Sequence, residues 1–171
     1  MSTVLIGYRG SGKTTIGRKL ADHLWQKFVD TDDLIVAAAG KSIAEIFDQQ
    51  GEAHFRELEA QAVRDAAKLA EHVIALGGGA ALRPENREII KSAGHRVVYL
   101  RCEPDVLLKR IQFDPQTTAN RPNLTALGGG EAEIRKVLSE REPIYRQFAH
   151  AELDVTNLTP EEAMVYIVRL L

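Results

Sequence analysis

A lysine and a threonine at the end of a glycine-rich run are the first residues here whose types and spacing imply chemistry. Gly7 to Thr14 reads Gly-Tyr-Arg-Gly-Ser-Gly-Lys-Thr, which fits G-x-x-x-x-G-K-[ST], the phosphate-binding P-loop. Successive backbone N–H groups in such a loop point inward as an anion nest. The helix that follows adds its own free N–H groups and partial positive charge. Lys13 has the reach for the β- and γ-phosphates, and the Thr14 hydroxyl suits Mg²⁺. Tyr8, Arg9 and Ser11 fill variable positions, and Arg9 reads as a solvated charge.

Further along, Asp30-Thr31-Asp32-Asp33 is an acidic turn behind the short run Phe28-Val29. Three carboxylates beside a phosphate loop would repel ATP unless a cation intervenes, which argues for Mg²⁺ near Asp30, directly or through a water. The same run suits helix N-capping by Asp32 or Asp33, and both readings stay open. Arg56 and Glu59 are three apart and share a helix side, where the plainer reading is a surface ion pair. Gly77-Gly78-Gly79 would let a ligand approach the backbone closely. No Walker-B carboxylate precedes them. Arg121 is the single charged residue between Pro115 and Gly130. A lid closing over phosphates would place a cation there, and a solvated arginine is the other reading.

These residues need elements to hold them. Thr3 to Ile6 reads as a buried strand, and Ile16, Leu20 and Leu24 mark the helix after the P-loop. Further strands are expected at 28–30, 73–76, 96–100 and 153–155. Helices are expected from Leu34 to Ala39, stopped by Gly40, and from the capping box Ser42-Ile43-Ala44-Glu45 to Gly51. Others run over about 52–70, Pro84 to Ser92, Pro104 to about Phe113, and Glu131 to Phe148, where Pro143 should bend or break the helix. Thr159-Pro160-Glu161-Glu162 opens the last one. Short strands alternating with helices imply an α/β fold with a central five-stranded parallel sheet flanked by helices in three layers. ATP would bind at its carboxyl edge. The polar stretch 114–130 is the expected mobile lid.

Composition agrees with one domain over all 171 residues, 44% of them hydrophobic and 27% charged. A formal net charge of −2 argues against nucleic-acid binding. The single cysteine, Cys102, reads as a buried thiol in a reducing compartment. His23, His54, His72, His95 and His150 show no zinc spacing. No apolar run approaches a membrane span, and the immediate first strand leaves no room for a signal peptide, so a cytoplasmic protein is expected.

Together Gly7 to Thr14, Asp30-Thr31-Asp32, Phe55-Arg56-Glu57-Leu58-Glu59, Ala75-Leu76-Gly77-Gly78-Gly79, Arg121-Pro122 and Arg141-Glu142-Pro143-Ile144-Tyr145 resemble the shikimate kinase family over nearly the whole chain. The resemblance implies a nucleoside-monophosphate-kinase-like P-loop fold, with the shikimate-binding helices in about 31–60. It implies transfer of the ATP γ-phosphoryl group to the 3-hydroxyl of shikimate, giving ADP. By that resemblance Gly10, Ser11, Gly12, Lys13, Thr14 and Thr15 hold the phosphates. Arg110, Asn157 and Pro160 form the adenine site. Thr14 and Asp30 serve Mg²⁺, Asp30 through a water. Asp32 accepts or orients the attacking proton, with Lys13 and Arg121 as its catalytic companions. Arg56 and Arg141 clamp the shikimate carboxylate. Gly77, Gly78 and Gly79 lie against the substrate, and Glu59 holds Arg56. The family also favours a monomer.

The chain departs from the family pattern at Asn123 and at the extra glycines Gly128-Gly129-Gly130. Two rivals share the P-loop: a gluconate-kinase-like enzyme, and a nucleotide-binding relative that no longer catalyses.

Overall fold

The computed structural model describes residues 1–114 and 130–171. Its centre is the P-loop strand β1 (Thr3–Ile6), buried at every residue. Strands β2 (Lys27–Asp30), β3 (His72–Ala75), β4 (Arg96–Arg101) and β5 (Ala151–Asp154) join it in the order β2-β3-β1-β4-β5. Every pairing is parallel. Parallel pairing needs crossovers, and these cover both sheet faces.

The period-2 alternation of β1 separates the two cores. Leu5 joins the face covered by α1 (Lys13–His23), α5 (Pro104–Phe113) and the C-terminal helix α7 (Pro160–Leu170). Val4 and Ile6 join the opposite face, packed by α3 (Ile43–Ala67) and α4 (Pro84–Ser92). A smaller apolar cluster ties α2 (Thr31–Ala39) to α3 through Ile35, Ile43, Ile46, Phe55 and Ala62. The three-layer parallel α/β architecture is as expected. The lid expected at 114–130 lies outside the described residues, apart from its end residues Asp114 and Gly130.

Two elements differ from expectation. Helix α2 begins at Thr31, and its cap is Asp30, whose side chain accepts from the Asp32 N–H at 3.0 Å. Asp32 and Asp33 therefore sit inside the first turn. Pro143 does not break the helix α6 (Glu131–Phe148). The proline removes one backbone donor, but the helix is packed on both sides of it. Ile134, Val137 and Leu138 are buried in one core, Tyr145 and Phe148 in the other. The break expected at Gly51 is present as a non-helical residue (φ 81°, ψ 171°) inside α3.

His95 ties the sheet's lower edge to α3. The Ser2 N–H donates to its Nδ1 at 3.3 Å, and its Nε2 lies 2.9 Å from the Ala67 carbonyl, which only accepts. The ring is therefore neutral, with its proton on Nε2. Desolvation depresses its pKa below the ordinary value. The unfolded chain binds the proton first, so stability is full above about pH 6.5 and falls as pH drops toward the lower folded pKa. Urea midpoints measured from about pH 7.5 to 5 are expected to fall, and less steeply in His95→Gln. Parallel curves would show that His95 is not linked to stability.

Candidate active site

The P-loop leaves β1 at Gly7 and enters α1 through Gly12, which caps the helix at φ 94° with no side-chain cap bond. This is the left-handed region, so glycine is required there. A first helical turn with no side-chain cap is suited to receive phosphate. Lys13 is buried and folds back over the loop, donating to the Gly7 and Tyr8 carbonyls at 2.9 and 3.0 Å. The Thr14 hydroxyl donates to Asp30 Oδ2 at 2.9 Å. Asp30 thus uses one carboxylate oxygen to cap α2 and turns the other to Thr14. That hydroxyl and carboxylate are hard oxygen donors of the kind Mg²⁺ takes beside phosphate. Among the described residues no cluster of three His, Cys, Asp or Glu could hold a metal by itself. Phosphate oxygens and water would complete any coordination.

Two basins open above the sheet's carboxyl edge. The larger, about 450 Å³, is lined by Gly10, Gly12, Lys13, Thr14, Thr15, Asp30, Arg110, Leu158 and Pro160. Its size and phosphate loop suit a nucleotide. Arg110 donates to the carbonyls of Val155 and Thr156 at 3.0 and 3.4 Å, which fixes the turn before Pro160. Asn157 lies in that turn but not on the basin wall. Ser11 is fully buried, and its Oγ would meet a Cβ on Gly7 at 2.8 Å. Its side chain thus packs beneath the loop, and any phosphate contact falls to its backbone.

The smaller basin, about 80 Å³, is lined by Ile43, Phe47, Phe55, Arg56, Glu59, Gly78, Gly79 and Arg141. Asp32 and Arg9 line both basins. The glycine run is what lets these side chains meet. A Cβ on Gly77 would sit 2.5 Å from Asp32 Oδ1, and one on Gly79 would sit 2.5 Å from an Arg56 terminal nitrogen. The Gly77 N–H donates to the buried Thr31 hydroxyl at 2.9 Å. The Gly78 carbonyl accepts from Tyr145 Oη at 2.6 Å and from Arg141 at 3.3 Å.

Arg56 and Glu59 are no surface pair. Arg56 donates to both Glu59 oxygens at 3.0 and 3.1 Å, and Glu59 is 1% exposed. Burial pushes the Glu59 carboxyl above its ordinary pKa, Arg56 pulls it back, and the Asp32 charge adds to the rise. Glu52 holds the opposite edge of the same guanidinium at 3.1 Å. Arg141 forms no ion pair with a carboxylate among the described residues, so it is the cation open to an incoming anion.

The structure therefore gathers the expected residues except Asn157, the Ser11 side chain, and Arg121, which lies outside the described residues. It adds Arg9, Thr31, Ile43, Phe47, Glu52 and Tyr145. Glu52 was legible as the i,i+4 partner of Arg56. Ile43 and Phe47 share that spacing but look like ordinary core. The others depend on contacts far apart in sequence.

The family model described as shikimate kinase matches residues 9–171. A shikimate kinase of Caldanaerobacter subterraneus subsp. tengcongensis is 44% identical, covering 97% of this chain and 93% of its own. One of Rhodopirellula baltica is 42% identical, with 96% and 87% covered. The structure of shikimate kinase from Acinetobacter baumannii in complex with shikimate superposes with a TM-score of 0.91 at 33% identity, covering 99% of this chain and 91% of that one.

Thr31 is the clearest support of this geometry. Thr31→Val keeps the shape but strips the Gly77 N–H of its partner, at a cost of about 1–3 kcal/mol. It should lower the urea midpoint and reduce turnover, while Thr31→Ser, which keeps the acceptor, preserves both. Equal behaviour of the two variants would remove the bond from the account.

Proposed function

The chain belongs to the shikimate kinase family, and we propose that it transfers the γ-phosphoryl group of ATP to the 3-hydroxyl of shikimate, giving shikimate 3-phosphate and ADP on the route to chorismate and the aromatic amino acids. One observation carries this reading. Asp32 stands in the wall common to a phosphate-binding basin and a smaller basin with cationic and apolar sides. A hydroxyl held in the smaller basin would face the terminal phosphate in the larger one, and Asp32 would accept or orient its proton.

Each residue has a distinct task in this proposal. Gly10, Ser11, Gly12, Lys13, Thr14 and Thr15 bind the phosphates, with Lys13 exchanging its carbonyl partners for phosphate oxygens. Arg110, Asn157 and Pro160 form the adenine end. Thr14 and, through a water, Asp30 would hold Mg²⁺. When bound, Mg²⁺ supplies neutralising charge on the β- and γ-phosphates. Arg141 and Arg56 receive the shikimate carboxylate, because a guanidinium fork matches a carboxylate bidentately. Glu59 fixes Arg56, and Gly77, Gly78 and Gly79 bring the substrate against the backbone. Arg121 meets the phosphates by family resemblance. No helix among the described residues is long and apolar enough to cross a membrane. We propose a cytoplasmic monomer, on the strength of the single buried thiol Cys102 and the family resemblance.

A coupled ADP-release assay with ATP and Mg²⁺ tests the reaction, with shikimate, quinate and gluconate as acceptors. Release should depend on shikimate. Equal stimulation by gluconate, or none by any acceptor, would overturn the assignment. Within that assay Arg141→Ala and Arg56→Ala should each raise the KM for shikimate about tenfold or more, the scale of one charge-assisted hydrogen bond. The KM for ATP should barely move. Equal losses for both substrates would remove these arginines from the carboxylate.

A further inference from the structure

We propose that Arg9, at a variable position of the P-loop, is a catalytic residue that contacts the phosphoryl group in transit, and that Glu133 is the residue that positions it. The proposal rests on the phosphoryl-transfer reading above and goes beyond it.

The first observation is placement. Among the described residues only Arg9 and Asp32 line both basins. The other cations are divided between them. Lys13 and Arg110 line the nucleotide basin alone, and Arg56 and Arg141 line the acceptor basin alone. The wall that the phosphoryl group must cross thus carries one carboxylate and one guanidinium. A carboxylate there serves the attacking hydroxyl. It also repels the negative charge spread over the equatorial oxygens of a loose transition state. A fixed cation at the same wall offsets that repulsion where the charge develops.

The second observation is that Arg9 is held, not solvated. Its side chain is 11% exposed and pairs at 3.5 Å with Glu133, whose side chain is 0% exposed in the first turn of α6. A fully buried carboxylate is costly unless a cation meets it. Tyr8 supports the arrangement from below. It is 2% exposed, and the guanidinium carbons of Arg9 and Arg141 both lie 6.0 Å from its ring centroid. A guanidinium with this support loses little freedom when the phosphoryl group arrives.

The rival account is that Arg9 only neutralises Glu133. Four variants separate the two: Arg9→Ala, Arg9→Lys, Glu133→Gln, and the double change of Arg9→Met with Glu133→Gln. The double variant removes both charges and keeps volume, so the fold is not left with an unpaired buried carboxylate. Thermal unfolding checks the fold, ADP titration calorimetry checks the nucleotide site, and the ADP-release assay gives kcat and both KM values. Arg9→Ala and the double variant are expected to lose about 10²-fold or more in kcat, with both KM values within about threefold. Arg9→Lys should fall between them and the wild type. Glu133→Gln should cost less, and should cost nothing further in kcat once Arg9 is gone, as expected of two residues acting as a unit. A folded double variant with near wild-type kcat would overturn the catalytic role. Additive losses would overturn the positioning role of Glu133. Wild-type protein with no acceptor-dependent release would overturn the functional reading and this proposal with it. Shikimate-dependent release that is unchanged in the variants would overturn this proposal alone.

Discussion

The site depends on how closely the carboxyl end of β3 lets other elements approach. Two residues there do what side chains would prevent. Gly77 receives Asp32 at a distance no Cβ allows, and Gly79 does the same for Arg56. Gly78 presents a bare carbonyl to Tyr145 and Arg141 from α6. Helix α2, helix α3, helix α6 and the P-loop therefore meet at one short stretch of backbone. A carboxylate and two guanidinium groups are brought together without a dedicated loop. Rigid strands and helix ends carry the positions, which is how a site keeps the sub-ångström order that phosphoryl transfer demands.

Much of this order was legible in the sequence, and what was legible is local. Helices α4, α5 and α7 begin at Pro84, Pro104 and Pro160, because proline at the first helical position acts within a few residues, joined at α7 by the Thr159–Glu162 capping box. The P-loop, the acidic turn and the glycine run could be named for the same reason. Reading failed where a distant partner decides the outcome. Asp30, not Asp32 or Asp33, caps α2, because its second carboxylate oxygen is already turned toward Thr14 across the sheet edge. Pro143 lies within a continuous helix because both ends of α6 are anchored in separate cores. Arg9 reads as a surface charge until α6, more than a hundred residues away in sequence, brings Glu133 beneath it.

Charge in the acceptor basin is divided by the same packing. Arg56 is held on two edges by Glu59 and Glu52, so its charge is largely answered before any substrate arrives. What remains is a guanidinium whose orientation is fixed and whose rotamer entropy has already been lost. Arg141 is the reverse case, with a carbonyl and an aromatic face as partners and no ion pair to a carboxylate among the described residues. In the proposed reading, an entering carboxylate would meet the less answered charge at Arg141 and the more firmly oriented fork at Arg56. Deleting Glu59 would then not strengthen binding by freeing a cation. It would release Arg56 from the geometry that makes its fork useful, and would leave Asp32 without the neighbouring buried negative charge that now raises the cost of a second carboxylate nearby. An acid–base pair that looks like mutual cancellation serves here as alignment, because in a partly desolvated basin the position of a charge decides more than its count.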